Sequence, residues 1–319
     1  MTVSAGVVQK SDLTVAIPTY GREKVLIDSI HHLLSLNCAN IEILVLDQSA
    51  FHLPEVQREL ATLHGFGRVR WLRLREPSIP KAMNCGLIEA NHDLVLFLDD
   101  DIIPEADLVR AHIHAHANGR GQIVAGRIIQ PWQEGLDFSR DSNFHFASLR
   151  AAEIEHFMGG NFSLDRHEAL AIGGFDENFV RVAYQFEAEF AFRWRNAGYH
   201  IVFEPKACIH HLKVLSGGTR TFGHHLTTLR PDHSVGAYYF YLRTWLGSST
   251  LKMILKRLVG AVATRYHLTN PWRVAPTIIS ELRGLIWACR LARTGPKYAH
   301  RSTGVSGTRV AQAQNRDMV

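Results

Sequence analysis

Leu94-Val95-Leu96-Phe97-Leu98-Asp99-Asp100-Asp101 is the stretch whose reading decides the fold. Five apolar residues run without a break into three carboxylates. An apolar run without alternation reads as a strand buried on both faces of a sheet wrapped by helices. In such sheets ligands bind beyond the carboxyl ends of the strands, where the three aspartates fall. Adjacent carboxylates repel one another unless a cation or several donors neutralise them. Hard oxygen ligands of this kind suit Mg2+ or Mn2+, with substrate phosphates completing the coordination. The competing reading is a solvated acidic turn, with Asp101 near the N-cap of a helix that Pro104 begins.

The same rhythm recurs on the N-terminal side. Leu13–Ile17 reads as a strand closed by the loop Pro18-Thr19-Tyr20-Gly21-Arg22. Val25, Leu26, Ile30, Leu33 and Leu34 follow at helical spacing, and Ile41–Leu46 is a second strand ending on Asp47. A helix near Pro54–His64, a strand at Val69–Leu74 and a helix through Ala90 lead back to the opening stretch. This alternation predicts an α/β fold with a mostly parallel central sheet flanked by helices. Past Ala117 the pattern loosens into a strand at Gln122–Gly126, a glycine-punctuated segment at Phe157–Leu164 and a Gly173-Gly174-Phe175-Asp176 turn. A helix over Glu187–Ala197 and two late strands, His200–Phe203 and Ala207–His211, complete it.

The chain has 319 residues, 46% of them apolar and 20% charged, enough for one large α/β domain with an appendage. Cys38, Cys85, Cys208 and Cys289 show no paired spacing, which argues for a reducing compartment and against a disulfide framework or a zinc site. Met1–Asp12 lacks the apolar core of a signal peptide, and no window of 18 residues is free of charge. A cytoplasmic protein is expected. The net charge of +5 is unevenly spread: from Tyr241 onward 13 Lys and Arg face only Glu281 and Asp317, whereas the first 240 residues carry 22 basic and 28 acidic groups. Such a split predicts an anionic partner.

Leu251, Ile254, Leu255, Leu258, Val259 and Val262 share one helix face beside Lys252, Lys256 and Arg257. Ile278, Leu282, Leu285, Ile286 and Cys289 repeat the design opposite Arg283, Arg290 and Arg293. Basic amphipathic helices suit an anionic membrane surface at the cytoplasmic face. Packing on the preceding domain with charges outward suits the pattern equally. The expected division is a catalytic domain over 1–240, an amphipathic helical extension over 241–300 and a disordered tail over 301–319.

Two patterns invite false readings. His112, His114 and His116 look like a metal cluster, but on a helix only His112 and His116 share a face, with no third ligand. Gly65-Phe66-Gly67 precedes a strand instead of following one, so it is no dinucleotide loop.

Several motifs in order resemble the family 2 glycosyltransferases of the GT-A fold over Leu13–Leu212. They are Val15–Arg22, Ile43–Asp47, Lys81-Ala82-Met83-Asn84, the Asp99–Asp101 cluster (the DxD motif), Met158–Asn161 and Gly173–Glu177. The resemblance implies an inverting, metal-dependent transferase using a nucleotide-diphosphate sugar. It implies as acceptor a glycan or lipid-linked hydroxyl in cell-surface polysaccharide synthesis, with no nucleic acid as partner. It places Pro18 and Thr19, with Tyr20 and Arg22 of the same loop, around the nucleobase, and gives Asp47 a hydrogen bond to it. Lys81 and Asn84 fall near the diphosphate, Asp99 and Asp100 at the ribose, and Gly160 and Asn161 at the sugar. Asp101 holds a divalent ion, Mn2+ or Mg2+, a Lewis acid for the departing nucleoside diphosphate.

Inversion needs a base to take the acceptor's proton. Glu187 stands where the family has it, although Phe186 replaces the usual acidic neighbour, and Glu189 competes. A histidine near the end of the last strand reaches the metal in the family. Because side chains alternate on a strand, only one of His210 and His211 can do so, and His211 is preferred. Bland readings stand beside these: a turn-forming Asp47, a surface Lys81, first-turn helix glutamates, a surface histidine pair and a simple Gly159-Gly160 turn. Two other functions compete, a sugar-phosphate nucleotidyltransferase and a catalytically degenerate nucleotide-sugar-binding protein.

Overall fold

Apolar strands and amphipathic helices alternate through the first hundred residues of the computed structural model. It describes residues 12–299, apart from 37, 39, 40, 118, 120 and 245–247, so the tail expected over 301–319 and the segment before Asp12 lie outside the described residues. In chain order these are β1 (Leu13–Thr19), α1 (Lys24–Ser35), β2 (Ile41–Asp47), α2 (Pro54–Gly65), β3 (Arg70–Arg73), α3 (Ile79–Glu89) and β4 (Leu94–Leu98). There follow β5 (Ile102–Pro104), α4 (Leu108–Ala117), β6 (Gln122–Ile129), β7 (Ala152–Glu153), β8 (Asn161–Asp165), α5 (Arg166–Ala171), α6 (Phe186–Asn196) and β9 (His200–His211). Four helices close the described chain: α7 (Val235–Thr244), α8 (Ser248–Val262), α9 (Arg265–Thr269) and α10 (Val274–Thr294).

The nine strands form one sheet in the order β3-β2-β1-β4-β8-β6-β9-β5, with β7 paired to β9. The β3-β2-β1-β4 half is parallel, as the strand–helix rhythm requires, and β4 is buried at all five positions. Beyond it β8 runs antiparallel between β4 and β6, and β6 and β9 are parallel. One sheet face carries the aliphatic core of Leu13, Val15, Ile17, Leu26 and Ile30. The other carries an aromatic core in which Phe97 and Phe162 stack at 5.1 Å and Phe175 and Phe190 at 4.3 Å.

Two local expectations change. Pro104 ends β5 instead of beginning a helix, and α4 starts at Leu108, so Asp101 caps nothing. β5 is the sheet's edge strand, where a residue without an N–H breaks no ladder bond. The two late strands are one, β9, whose register against β6 jumps from Gly126↔Glu204 to Arg127↔Cys208. Pro205, which cannot donate to a ladder, lies in the surplus segment and explains the interruption.

The C-terminal helices pack onto the rest, and residue 240 falls inside α7. Glu281 on α10 accepts both nitrogens of Arg257 from α8, at 2.9 and 3.1 Å, and the Tyr238 hydroxyl from α7 at 2.6 Å. The Asp176 carboxylate accepts the Tyr239 hydroxyl at 2.7 Å and the Lys297 amide at 2.9 Å. The amphipathic faces divide: Ile254, Leu258 and Leu285 pack on the core, whereas Leu251, Leu255, Val259, Ile279, Leu282 and Ile286 stay exposed. Among the described residues no helix is long and apolar enough to cross a membrane.

Candidate active site

The chain leaves β4 at Leu98 and must cross Asp99, Asp100 and Asp101 to enter β5. Because β5 pairs antiparallel with the end of β9, Ile102 faces His211, which brings that imidazole to the aspartates. His211 Nε2 lies 3.2 Å from Asp101 Oδ1 and 3.7 Å from Asp99 Oδ2. One donor atom from each of Asp99, Asp101 and His211 falls within 4.8 Å of the others. His210 points elsewhere: its ring bonds Glu134 at 2.7 Å and lies 3.4 Å from Glu105.

Asp100 points away from this trio. It accepts Thr19 Oγ1 at 2.7 Å and Arg22 Nε at 3.1 Å. The same guanidinium reaches Asp101 Oδ2 at 3.3 Å and donates to the carbonyls of Val214 and Ser216. Arg22 therefore fastens the loop after β1, the acidic turn and the loop after β9 together. Asp100 is thus bound to Thr19 and Arg22 in the cleft wall.

Burial pushes the Asp99 carboxyl up, with Asp101 adding to it, and pushes Asp100 up to about 7 against Arg22 and Thr19. The same burial opposes charge on Asp101, but His211, Arg22 and the Val214 amide outweigh it and lower its pKa. His211 is raised: burial works against the imidazolium, and Asp101 and Asp99 prevail. Two carboxylates and one imidazole with surplus negative charge make a donor set that fits Mn2+ or Mg2+.

A cleft of about 400 Å3 opens beside the trio. Pro18, Thr19, Tyr20 and Arg22 line it, as do all three aspartates and His211. Asp47 does not. It is fully buried and accepts the Ser49 amide at 2.8 Å, His52 Nε2 at 2.9 Å and Trp71 Nε1 at 3.0 Å. The cleft residue is its neighbour Gln48, on the other side of the alternating strand end. Gln48 Oε1 accepts the Ser78 amide at 2.6 Å, and Ser78 and Pro77 line the cleft too.

Lys81 pairs with Glu76 at 2.7 Å on the surface. Beside Arg22, the cleft wall carries Lys213, Arg220 and Arg181, which the sequence reading missed. For Lys213 and Arg220 the signal was the Ser216-Gly217-Gly218 turn just after the last strand. Gly217 has φ +72°, and a Cβ there would strike the Gly21 carbonyl, so only glycine lets the two loops meet.

Asn84 is buried away from the donor. Its amide clamps the backbone N–H and carbonyl of Phe175 at 2.8 and 2.9 Å, fixing the glycine turn to α3. Asn161 is fully buried and donates to the Ala207 and Arg127 carbonyls at 2.8 and 3.1 Å, which the β9 register jump leaves without ladder partners. Its Oδ1 meets His112 Nε2 at 2.9 Å. His112 and His116 share Ser163 Oγ, and burial drops His112 to about 4, so His112 is a hydrogen-bonded core residue. Gly160 is placed where any Cβ would strike the Asp99 carboxylate. Gly159 lines the cleft, and a Cβ there would lie 3.0 Å from Glu187 Oε1.

The two glutamates of α6 have different fates. Glu189 is buried and held by Arg193 at 2.7 and 2.9 Å, and that arginine also donates to the Ile172 and Gly174 carbonyls. Glu187 has no basic partner among the causes that set its pKa: burial, with the Asp99 charge adding, pushes it up to about 7. Just before α6, Arg181, Ala183 and Gln185 all have left-handed backbones, with φ of 63°, 54° and 74°. Three such non-glycine residues are costly, and strain of this kind gathers at functional sites.

The family model for Glycosyl transferase family 2 matches residues 14–176, about half of the chain. Among solved structures, the chain aligns with GalNAc-T7 with UDP, GalNAc and Mn2+ at a TM-score of 0.52 and 14% identity, covering 81% of this chain. It spans only 57% of that protein's length. It also aligns with the mannosyltransferase PcManGT from Pyrobaculum calidifontis in complex with GDP-Man and Mn2+, at a TM-score of 0.52, 18% identity, and 92% and 81% of the two chains. At such identities the likeness is one of fold. No curated protein sequence matches the chain.

Proposed function

This chain belongs to glycosyl transferase family 2, and from that premise we propose that it is an inverting, metal-dependent glycosyltransferase. It moves a sugar from a nucleotide-diphosphate donor to a hydroxyl of a glycan or glycolipid, in cell-surface polysaccharide synthesis. The loop Pro18-Thr19-Tyr20, with Gln48, receives the nucleoside, and Lys213 and Arg220 offset the diphosphate charge. Asp99, Asp101 and His211 would hold Mn2+ or Mg2+. When bound, such an ion neutralises charge that gathers on the departing diphosphate. Glu187 accepts the proton of the attacking hydroxyl.

One observation carries this reading. Glu187 packs against Gly159, Gly160 packs against Asp99, and so a carboxylate held by backbone N–H groups, without a basic partner and poised near neutrality, sits next to a metal-competent trio. A base is most effective when its pKa lies near the working pH. A nucleotidyltransferase is disfavoured because the loop after β1 holds only Gly21 and is no glycine-rich phosphate cradle. The exposed apolar residues of α8 and α10, set among Lys252, Lys256, Arg283 and Arg290, suit an anionic membrane surface on the cytoplasmic side.

Glu187→Gln keeps the shape and removes the base. It is expected to bind nucleotide sugar as wild type does and to transfer it roughly 10²–10⁴ times more slowly. Transfer at the wild-type rate would refute the assignment. Equal donor binding with no transfer by the wild-type protein on any hydroxyl acceptor would favour the degenerate binder.

A further inference from the structure

A second cleft, of about 820 Å3, adjoins the donor cleft and shares Tyr20, Arg181 and Phe222 with it. Four arginines line it, Arg181, Arg230, Arg283 and Arg290, against one acid, Asp232. That acid is already committed: it is buried and lies 3.7 Å from Arg181 Nε. Arg181 is held on its other side by the Trp287 ring, 5.8 Å from its guanidinium carbon, and its backbone is left-handed at φ 63°. An arginine strained into place at the seam of two clefts, and steadied by an acid and an indole, is built to meet what spans them. Arg283 is steadied as well, donating to the Leu229 carbonyl at 3.1 Å.

The apolar side is equally definite. Ile279, Leu282 and Ile286 are 49%, 44% and 55% exposed and recur at three- and four-residue spacing on α10. They therefore form one stripe along the helix, and its last member, Ile286, lines the cleft among the arginines. Guanidinium forks match phosphate oxygens bidentately, and an exposed aliphatic stripe matches a hydrocarbon chain. A flat membrane would need neither the concavity nor the opening toward Asp99–Asp101.

We propose that this cleft receives the phosphate or diphosphate group of a lipid-linked acceptor, its hydrocarbon lying along Ile279, Leu282 and Ile286 and its sugar passing Arg181 toward the donor cleft. The inference rests on the function proposed above and names the acceptor class.

Farnesyl diphosphate and inorganic pyrophosphate serve as probes in calorimetric titrations of the full chain, in EDTA so that metal-dependent donor binding is silent. Farnesyl diphosphate is expected to bind wild type and Asp99→Asn alike. It should bind Arg230→Ala/Arg290→Ala about tenfold or more weakly, for the charge-assisted hydrogen bonds lost. Both arginines are exposed, so an unchanged Tm in the double variant verifies that the fold is intact. Pyrophosphate should bind wild type at least about tenfold more weakly than farnesyl diphosphate, for the missing apolar contact. Three results overturn the proposal: a double variant that binds as wild type, a loss that appears in Asp99→Asn instead, or pyrophosphate binding as tightly as the lipid. None depends on transfer by Glu187, so this inference and the proposed function can fail separately.

Discussion

The acids beneath the helices and the acids at the cleft are treated in opposite ways. Under the helices each carboxylate meets its donors: Glu189 has Arg193, Glu281 has Arg257 and Tyr238, and Asp176 has Tyr239 and the Lys297 amide. At the cleft the acids outnumber their donors. Arg22 and Thr19 serve Asp100, but Asp99 lies among other carboxylates and Glu187 has no cation. A fold gains nothing from crowding carboxylates that lack cationic partners. Where it persists, the missing partner belongs to function.

Breaking the cleft should therefore cost binding and activity even in molecules that stay folded, and breaking the support should cost stability alone. The largest effect is expected from Asp101→Ala, which removes a trio member and a partner of Arg22. Nucleotide binding per folded molecule in Mn2+ should fall by about 100-fold or more, since even residues that only orient metal ligands are worth 10–100-fold; Tm falls as well, because Arg22 and the Val214 amide lose a buried partner. Binding unchanged in a Mn2+ titration would remove the acidic turn from the site.

Next comes Glu281→Ala, which strands the Arg257 guanidinium and the Tyr238 hydroxyl together. Removing one partner of a buried pair costs about 3 kcal/mol or more. Urea unfolding should show that loss, and donor affinity per folded molecule should hold. An unfolding midpoint within error of wild type would contradict the proposed role of Glu281.

The smallest effect sharpens the contrast at Glu187. Its folded pKa, about 7, lies above its ordinary value of 4.5. The folded state therefore holds that proton to higher pH than the unfolded chain, and loses stability as pH rises from 4.5 to about 7. Glu187→Gln escapes that loss, so in EDTA at pH 8 its Tm should exceed wild type by a few degrees, with no gain at pH 4. A lower Tm at pH 8 would show that the glutamate is paired after all.

Much of the frame was legible in the sequence. The unbroken Leu94–Leu98 run announced a central strand, and the rhythm around it gave the parallel half of the sheet. Site residues were harder, because a motif places a residue near a site without saying which way it faces. Asp47 and Gln48 differ by one position, and only the tertiary position of His52 and Trp71 shows that the aspartate turns inward. Asn161 is claimed by carbonyls freed across the sheet, near Pro205, 44 residues further along the chain. Lys213 and Arg220 reach the cleft only because two glycine loops close on each other. These are long-range events, and local patterns do not carry them.

Asp176 sets a practical boundary. Its oxygens are satisfied by Tyr239 on α7 and by the backbone of Lys297 beyond α10, far downstream of the segment matched by the family. Cropping the chain at residue 240 to obtain a minimal catalytic piece would strip that amide away and leave Asp176 leaning on the Asn178 amide and on Tyr239 at the severed end of α7. The last helices are the floor on which the acidic helix α6 rests.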